Sequence, residues 1–236
     1  MTTFLQLCID ASRESGAVGR APTAVTGQTG RQEKVVSWVR EAWRQLQLSQ
    51  PNWAWMRTQF TGTLNIGQSS YNALGFGLAA DRFSSWVGDQ PDYRPMTLYD
   101  PTIGIKDETN ITEISFEQWR RSYDIGEQIL QKSTRYCIAP DRTLRFGAIP
   151  DKAYTVRGEY RKAPQVLTAN SDVPELPEEF HSIIVWAAII LMAKHDESPT
   201  GLQAAVDTYR PMLYQLQASQ LPEITTAAEP PMDYLQ

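Results

Sequence analysis

Apolar residues recur along this chain with two periods, one helical and one extended. Near the start, Phe4, Leu7, Cys8 and Ala11 fall on one side of a short helix that Thr2 can cap. A second helix runs through RQEKVVSWVREAWRQLQLSQ, where Val35, Trp38, Val39, Ala42, Trp43 and Leu46 form a stripe opposite charged residues, and Pro51 ends it. Between them, ESGAVGRAPTAVTGQTG reads as a Gly- and Thr-rich loop of about fifteen residues, a length that marks functional or mobile loops.

From Met56 the period changes to two. Met56, Thr58, Phe60, Gly62, Leu64 and Ile66 alternate with Arg57, Gln59, Thr61, Thr63 and Asn65, which predicts a half-buried strand. Leu74–Pro95 is irregular and predicts no regular element; MTLY at Met96 predicts a short strand. Ser115 and Gln118 match a capping box for a short helix with Phe116, Trp119 and Tyr123 on one side. RYCI, TLRFGAI and AYTVRGEYR alternate again, separated by APDR and PDK, and predict a three-stranded antiparallel meander over 135–162. Leu144, Phe146, Ala148, Tyr154, Val156 and Tyr160 are expected inside it. Arg145, Thr155, Arg157, Glu159 and Arg161 are expected outside.

The longest apolar run is Ile183–Ala193, within HSIIVWAAIILMAKH. A helix through it is hydrophobic on every side, so no single flat surface covers it. A bilayer requires roughly 20 apolar residues, far more than this run offers, which leaves a central core helix or a helix also covered by another subunit. Pro177 suits a first helical position, and Glu178 and Glu179 favour the positive end of the helix dipole, which places the start near there. A last helix begins at Ser198–Pro199 with Leu202, Val206, Tyr209, Leu213 and Leu216 on a stripe, kinked by Pro211. LPEITTAAEPPMDYLQ reads as an extended, acidic, proline-containing arm.

The fold class expected is therefore α+β: a bundle of two N-terminal and two C-terminal helices (1–50 and 173–220), a β-rich antiparallel insertion (51–172) and an extended arm (221–236). The 236 residues, 42% of them hydrophobic, suffice for a real core. MTTFLQLCIDASRESG lacks a basic leader and Asp10 interrupts its apolar part, so retention in a cytoplasm is expected. Cys8 and Cys137 show no C-x-x-C spacing and read as buried packing residues.

The net charge of −5 is unevenly distributed. Lys132–Lys162 carries +5, whereas Ala163 to the end carries −8. Such asymmetry docks or steers partners, or solvates two faces.

Catalytic motifs are missing. There is no phosphate-loop, zinc-protease, nucleophile-elbow or calcium-loop signature, and GQTGRQEK lacks the spacing of a nucleotide-binding turn. His181 and His195 lie about 21 Å apart along one helix, too far to share a metal, and read as helix-end residues. Glu175, Glu178 and Glu179 are explained by the helix start. WAWM at Trp53 reads as core, and no recognition-helix pattern supports direct DNA reading. No catalytic residue, cofactor or metal is expected.

Thr143–Glu197 orders a strand ending in I-P-D, the strand Y-T-V-R-G-E-Y, the loop S-D-V-P-E-L-P-E-E-F-H and a very apolar helix. Together with FLQL, VVSWVREAWRQLQ and WAWMRTQFTGTL, this order resembles the head-to-tail adaptor (connector) proteins of tailed bacteriophages. The resemblance implies a structural virion protein, assembled in the host cytoplasm. It would form a ring, usually a dodecamer, beneath the portal, continuing the DNA channel toward a tail or nozzle protein. It further implies a terminal arm that reaches the portal, for which Leu221, Ile224, Met232, Tyr234 and Leu235 are the expected anchors. Arg145, Arg157 and Arg161 are the expected contacts to a neighbouring copy or tail protein, with DNA as passing cargo and no membrane partner. A tail terminator, stopper or tail-tube protein is the alternative within virion structure, and a cytoplasmic enzyme with an unrecognised site the alternative outside it.

Overall fold

Thr3, one residue later than expected, caps the first helix: its hydroxyl accepts the Gln6 N–H at 3.3 Å. The computed structural model describes residues 2–16 and 19–221. In chain order the elements are α1 (Phe4–Ser15), α2 (Gly30–Leu48), β1 (Arg57–Leu64), β2 (Ser70–Tyr71), β3 (Phe83–Trp86), β4 (Thr97–Tyr99), β5 (Thr109–Asn110), β6 (Thr112–Glu113), α3 (Phe116–Trp119), β7 (Arg135–Ile138), β8 (Leu144–Gly147), β9 (Tyr154–Lys162), α4 (Ser182–His195) and α5 (Pro199–Gln220). The fold is α+β with a β-rich insertion. It divides into two compact units: the described residues of Met1–Trp55 with Val166–Gln236, and Met56–Gln165.

In the helical unit, α4 packs against α1, α2 and α5. The stripe read on α2 turns inward, with Val35, Val39, Ala42, Trp43 and Leu46 buried. Trp38 is the exception: it is half-buried, with the Arg31 guanidinium over its ring and the His195 ring against its edge. Arg31 also forms a two-pronged ion pair with Asp196, tying the start of α2 to the end of α4. The Gly-rich connection after α1 is anchored by Val25, buried, whose N–H donates to Asn170 Oδ1 at 2.7 Å. Trp53 is buried, its indole N–H donating to the Leu46 carbonyl at 3.0 Å.

The apolar helix begins later than the acidic residues suggested. Pro177 is extended, Glu178–Phe180 forms a separate 3-10 turn, and α4 starts at Ser182. His181 stands at that start, 3% exposed, with its Nε2 against the Leu176 carbonyl at 3.0 Å. His195 ends the helix.

The β unit holds two sheets, one ordered β1-β9-β4-β5 with β3 also on β9, the other ordered β2-β8-β7-β6. All pairings are antiparallel except β6 with β7. The expected meander is corrected here. β7 and β8 form a hairpin, but the outer edge of β8 is taken by β2, and β9 crosses to the other sheet, where β1 matches it over eight residues from Arg57↔Arg161 to Leu64↔Tyr154. Alternation states which face a strand buries; it does not choose the neighbour. One aromatic and aliphatic cluster, including Phe60, Trp86, Leu98, Tyr136, Phe146 and Val156, joins the inner faces of both sheets. Glycine permits the closest approach: Gly158 lies opposite Phe60 in the ladder, and a Cβ there would run into Met96 and Phe60. At the start of α3, Ser115 Oγ accepts the Gln118 N–H at 3.1 Å, as the capping pattern predicts.

Candidate functional site

The surfaces that distinguish this chain are apolar side chains left without full cover. On α4 the buried positions include Ile183, Ile184, Ala188, Ile189 and Met192. Trp186, Ala187, Ile190 and Leu191 stay partly exposed, and at i, i+1, i+4 and i+5 they make one continuous stripe. On α5 only Ala205 and Leu216 are buried, while Leu202, Val206, Tyr209 and Leu213 remain partly exposed. An all-apolar helix is thus covered on three sides by α1, α2 and α5 and left half-open along the fourth.

The basic segment is less free than its composition indicated. Lys132 Nζ donates to Asp107 Oδ2 at 2.7 Å, Lys152 pairs with Asp100, and Arg157 Nη1 stands 3.4 Å from both Glu108 oxygens. The partners come from the connection between β4 and β5, so opposite charges from separate segments cancel locally. The Lys152 ammonium, with Thr102, holds the Asp100 carboxyl down to about 2.

Arg145 and Arg157 lie in different sheets, so the structure does not join the three expected arginines into one patch. Arg145, on β8, lies with its guanidinium 5.3 Å from the ring centres of both Phe116 and Trp119, and 3.7 Å from Asp141. Arg157 and Arg161 are four apart on β9 and share one face. Burial, then the neighbouring Arg57, pulls the Arg161 pKa downward.

Glu159 is a correction. Expected outside, it is 8% exposed, because it is paired with Arg57 and accepts the Tyr93 hydroxyl at 2.6 Å. Alternation marks the outer face of β9, but Arg57 opposite and Tyr93 from the irregular stretch fold over the carboxylate. A cleft of about 260 Å³ beside it is lined by Gln59, Arg94, Thr97, Glu108 and Arg157 among others. Of the proposed arm, Leu221 follows α5 and is partly exposed, its N–H donating to the Gln217 carbonyl at 2.9 Å. Ile224, Met232, Tyr234 and Leu235 lie outside the described residues.

Among the described residues, no cluster of three or more His, Cys, Asp or Glu side chains could hold a metal, and no helix is long and apolar enough to cross a membrane. Burial pushes the Cys8 thiol up to about 12 and the Cys137 thiol up to about 11. What the molecule offers is surface for other proteins: a half-open helix and a compact β unit. Residues 2–230 match the family model described as SU10 adaptor protein, and the chain belongs to that family of bacteriophage structural adaptors. No curated protein matches it.

Proposed function

We propose that this adaptor acts as one subunit of a ring, of the dodecameric kind, that joins the portal to the tail and continues the DNA channel. The observation that carries this reading is the partly exposed stripe Trp186, Ala187, Ile190 and Leu191 on a helix whose other sides are packed. A neighbouring copy laid head-to-tail closes it, and such contacts form rings when the rotation fits. Burying that stripe contributes about 25 cal/mol per Å² of apolar area. In this scheme, Arg157 and Arg161, sharing one face of β9, meet acidic surface of a neighbouring copy or tail protein, and Arg145 joins them only through the exposed part of its stacked guanidinium. The segment from Leu221 to Gln236 docks on the portal through Leu221, Ile224, Met232, Tyr234 and Leu235. DNA passes without sequence-specific contacts.

Deleting Pro222–Gln236 is expected to abolish attachment to purified portal rings, seen by negative-stain microscopy, with circular dichroism nearly unchanged. Attachment that survives the deletion refutes the arm.

A further inference from the structure

Among the described residues, six of the eleven large hydrophobic side chains that stand exposed are gathered on the loops at one end of the β unit. They are Ile66 (66% exposed), Ile103 (58%), Ile105 (70%), Ile125 (70%), Ile129 (68%) and Leu130 (56%). Their loops follow the ends of β1, β4 and α3 and precede β5 and β7.

Hydrogen bonds and ion pairs hold these loops together. The Gly67 N–H donates to the Pro150 carbonyl at 3.0 Å, and the Gln131 N–H to the Ile149 carbonyl at 2.9 Å. Lys152 pairs with Asp100, the Asp100 N–H donates to Asp107 Oδ2 at 2.9 Å, and Lys132 bridges to the same Asp107 carboxylate. Loops 65–68, 100–107, 125–132 and 149–152 are therefore one connected platform. Tethered loops bearing β-branched isoleucines have little freedom left to lose on docking.

Together the six residues expose on the order of 700 Å², close to the roughly 800 Å² that one partner buries in a standard interface. The exposed charges around it are nearly balanced: Lys106, Arg120, Arg121, Arg135 and Lys152 against Glu117, Asp124, Glu127 and Asp151. Such a surface lacks the excess of bases that DNA or an anionic bilayer requires. A copy of the same patch would pair two-fold, whereas a ring is built from unlike faces. Beside Ile125, a cavity of about 350 Å³ lined also by Phe116, Glu117, Arg120 and Arg121 offers a seat for one inserted side chain.

We infer that this loop platform docks the tail-side protein of the virion through an apolar surface on that protein. The inference rests on the proposed ring, which already assigns the α4 stripe to the neighbouring copy and the C-terminal segment to the portal, leaving the β platform for the tail.

The test is the double variant I105D/I129D, in DNA-filled heads that carry this adaptor, mixed with purified tails of the same phage. Joined particles counted by electron microscopy are expected to fall at least tenfold. Attachment to portal rings, sedimentation of the oligomer and the melting curve should stay as in the wild type, and I105V/I129L should join normally. Undiminished joining by I105D/I129D overturns the inference, as does loss of oligomer in place of loss of tails. Flotation of the wild type, but not of the variant, with vesicles of phosphatidylcholine and phosphatidylglycerol would assign the patch to lipid and overturn it too. Failure of the wild-type chain itself to attach to portal rings brings down the ring proposal, whereas normal attachment with unaffected tail joining brings down the platform alone.

Discussion

The helical and β units close their surfaces in opposite ways. In the helical unit the polar lock is at the helix ends, Arg31 with Asp196, while apolar side chains stay partly exposed along the length of α4 and α5. The β unit does the reverse. Its two sheets share a well-covered aromatic core and its opposite charges pair internally, but its loop ends carry bare isoleucines. A helix leaves a stripe along its length because 3.6 residues per turn return side chains to the same line; a strand sends alternate residues to opposite faces, so its unpaired apolar groups collect at the connections. The first kind of surface suits lateral packing, the second end-on docking.

The largest expected effect separates closed core from open stripe. Phe146→Ala removes a fully buried ring and is expected to cost about 3–5 kcal/mol in urea unfolding. Ile190→Ala, on the open side of α4, should cost less than about 1 kcal/mol in the isolated chain yet weaken self-association measured by sedimentation. Comparable losses in the isolated chain would erase the contrast.

Acid should act next. The Asp100 carboxyl is held down to about 2 when folded and returns toward its ordinary 3.8 when unfolded. Its stabilisation is therefore complete above about pH 4 and disappears as the pH falls through 2. Lys152→Met should flatten that part of the acid-unfolding profile followed by fluorescence, with the neutral fold retained. The smallest effect is chemical: with both thiols pushed well above neutral, a disulfide reagent at pH 8 should leave Cys8 and Cys137 unmodified until denaturant is added.

Helices were the most legible part of the sequence. Stripes of ten or more residues average over local exceptions, so α1, α2 and α5 are readable from spacing, whereas α4, apolar on every side, is readable only as an unbroken apolar run; the errors lie at the ends, Thr3 in place of Thr2 and Ser182 in place of the turn at Pro177. Within Leu74–Ile114 only MTLY predicts a strand, found as β4; the rest is opaque because its strands are two to four residues long, too short for a period to register. That stretch also hides the partners of the basic segment. Asp100, Asp107 and Glu108 neutralise Lys152, Lys132 and Arg157, and Tyr93 helps bury Glu159, none of which sequence distance reveals. Exposure of Ile103, Ile105 and Ile129 was equally unreadable, since an isolated isoleucine in a loop carries no periodic signal.

The ladder between β1 and β9 has one more consequence. The first strand of the insertion and the last are direct neighbours, with Arg57 opposite Arg161, so the polypeptide enters and leaves the β unit through adjoining strand ends. A module with paired doorposts of this kind can be lengthened, trimmed or traded during evolution without rethreading the helices, which lets the part facing a new partner change while the rest of the subunit keeps its shape.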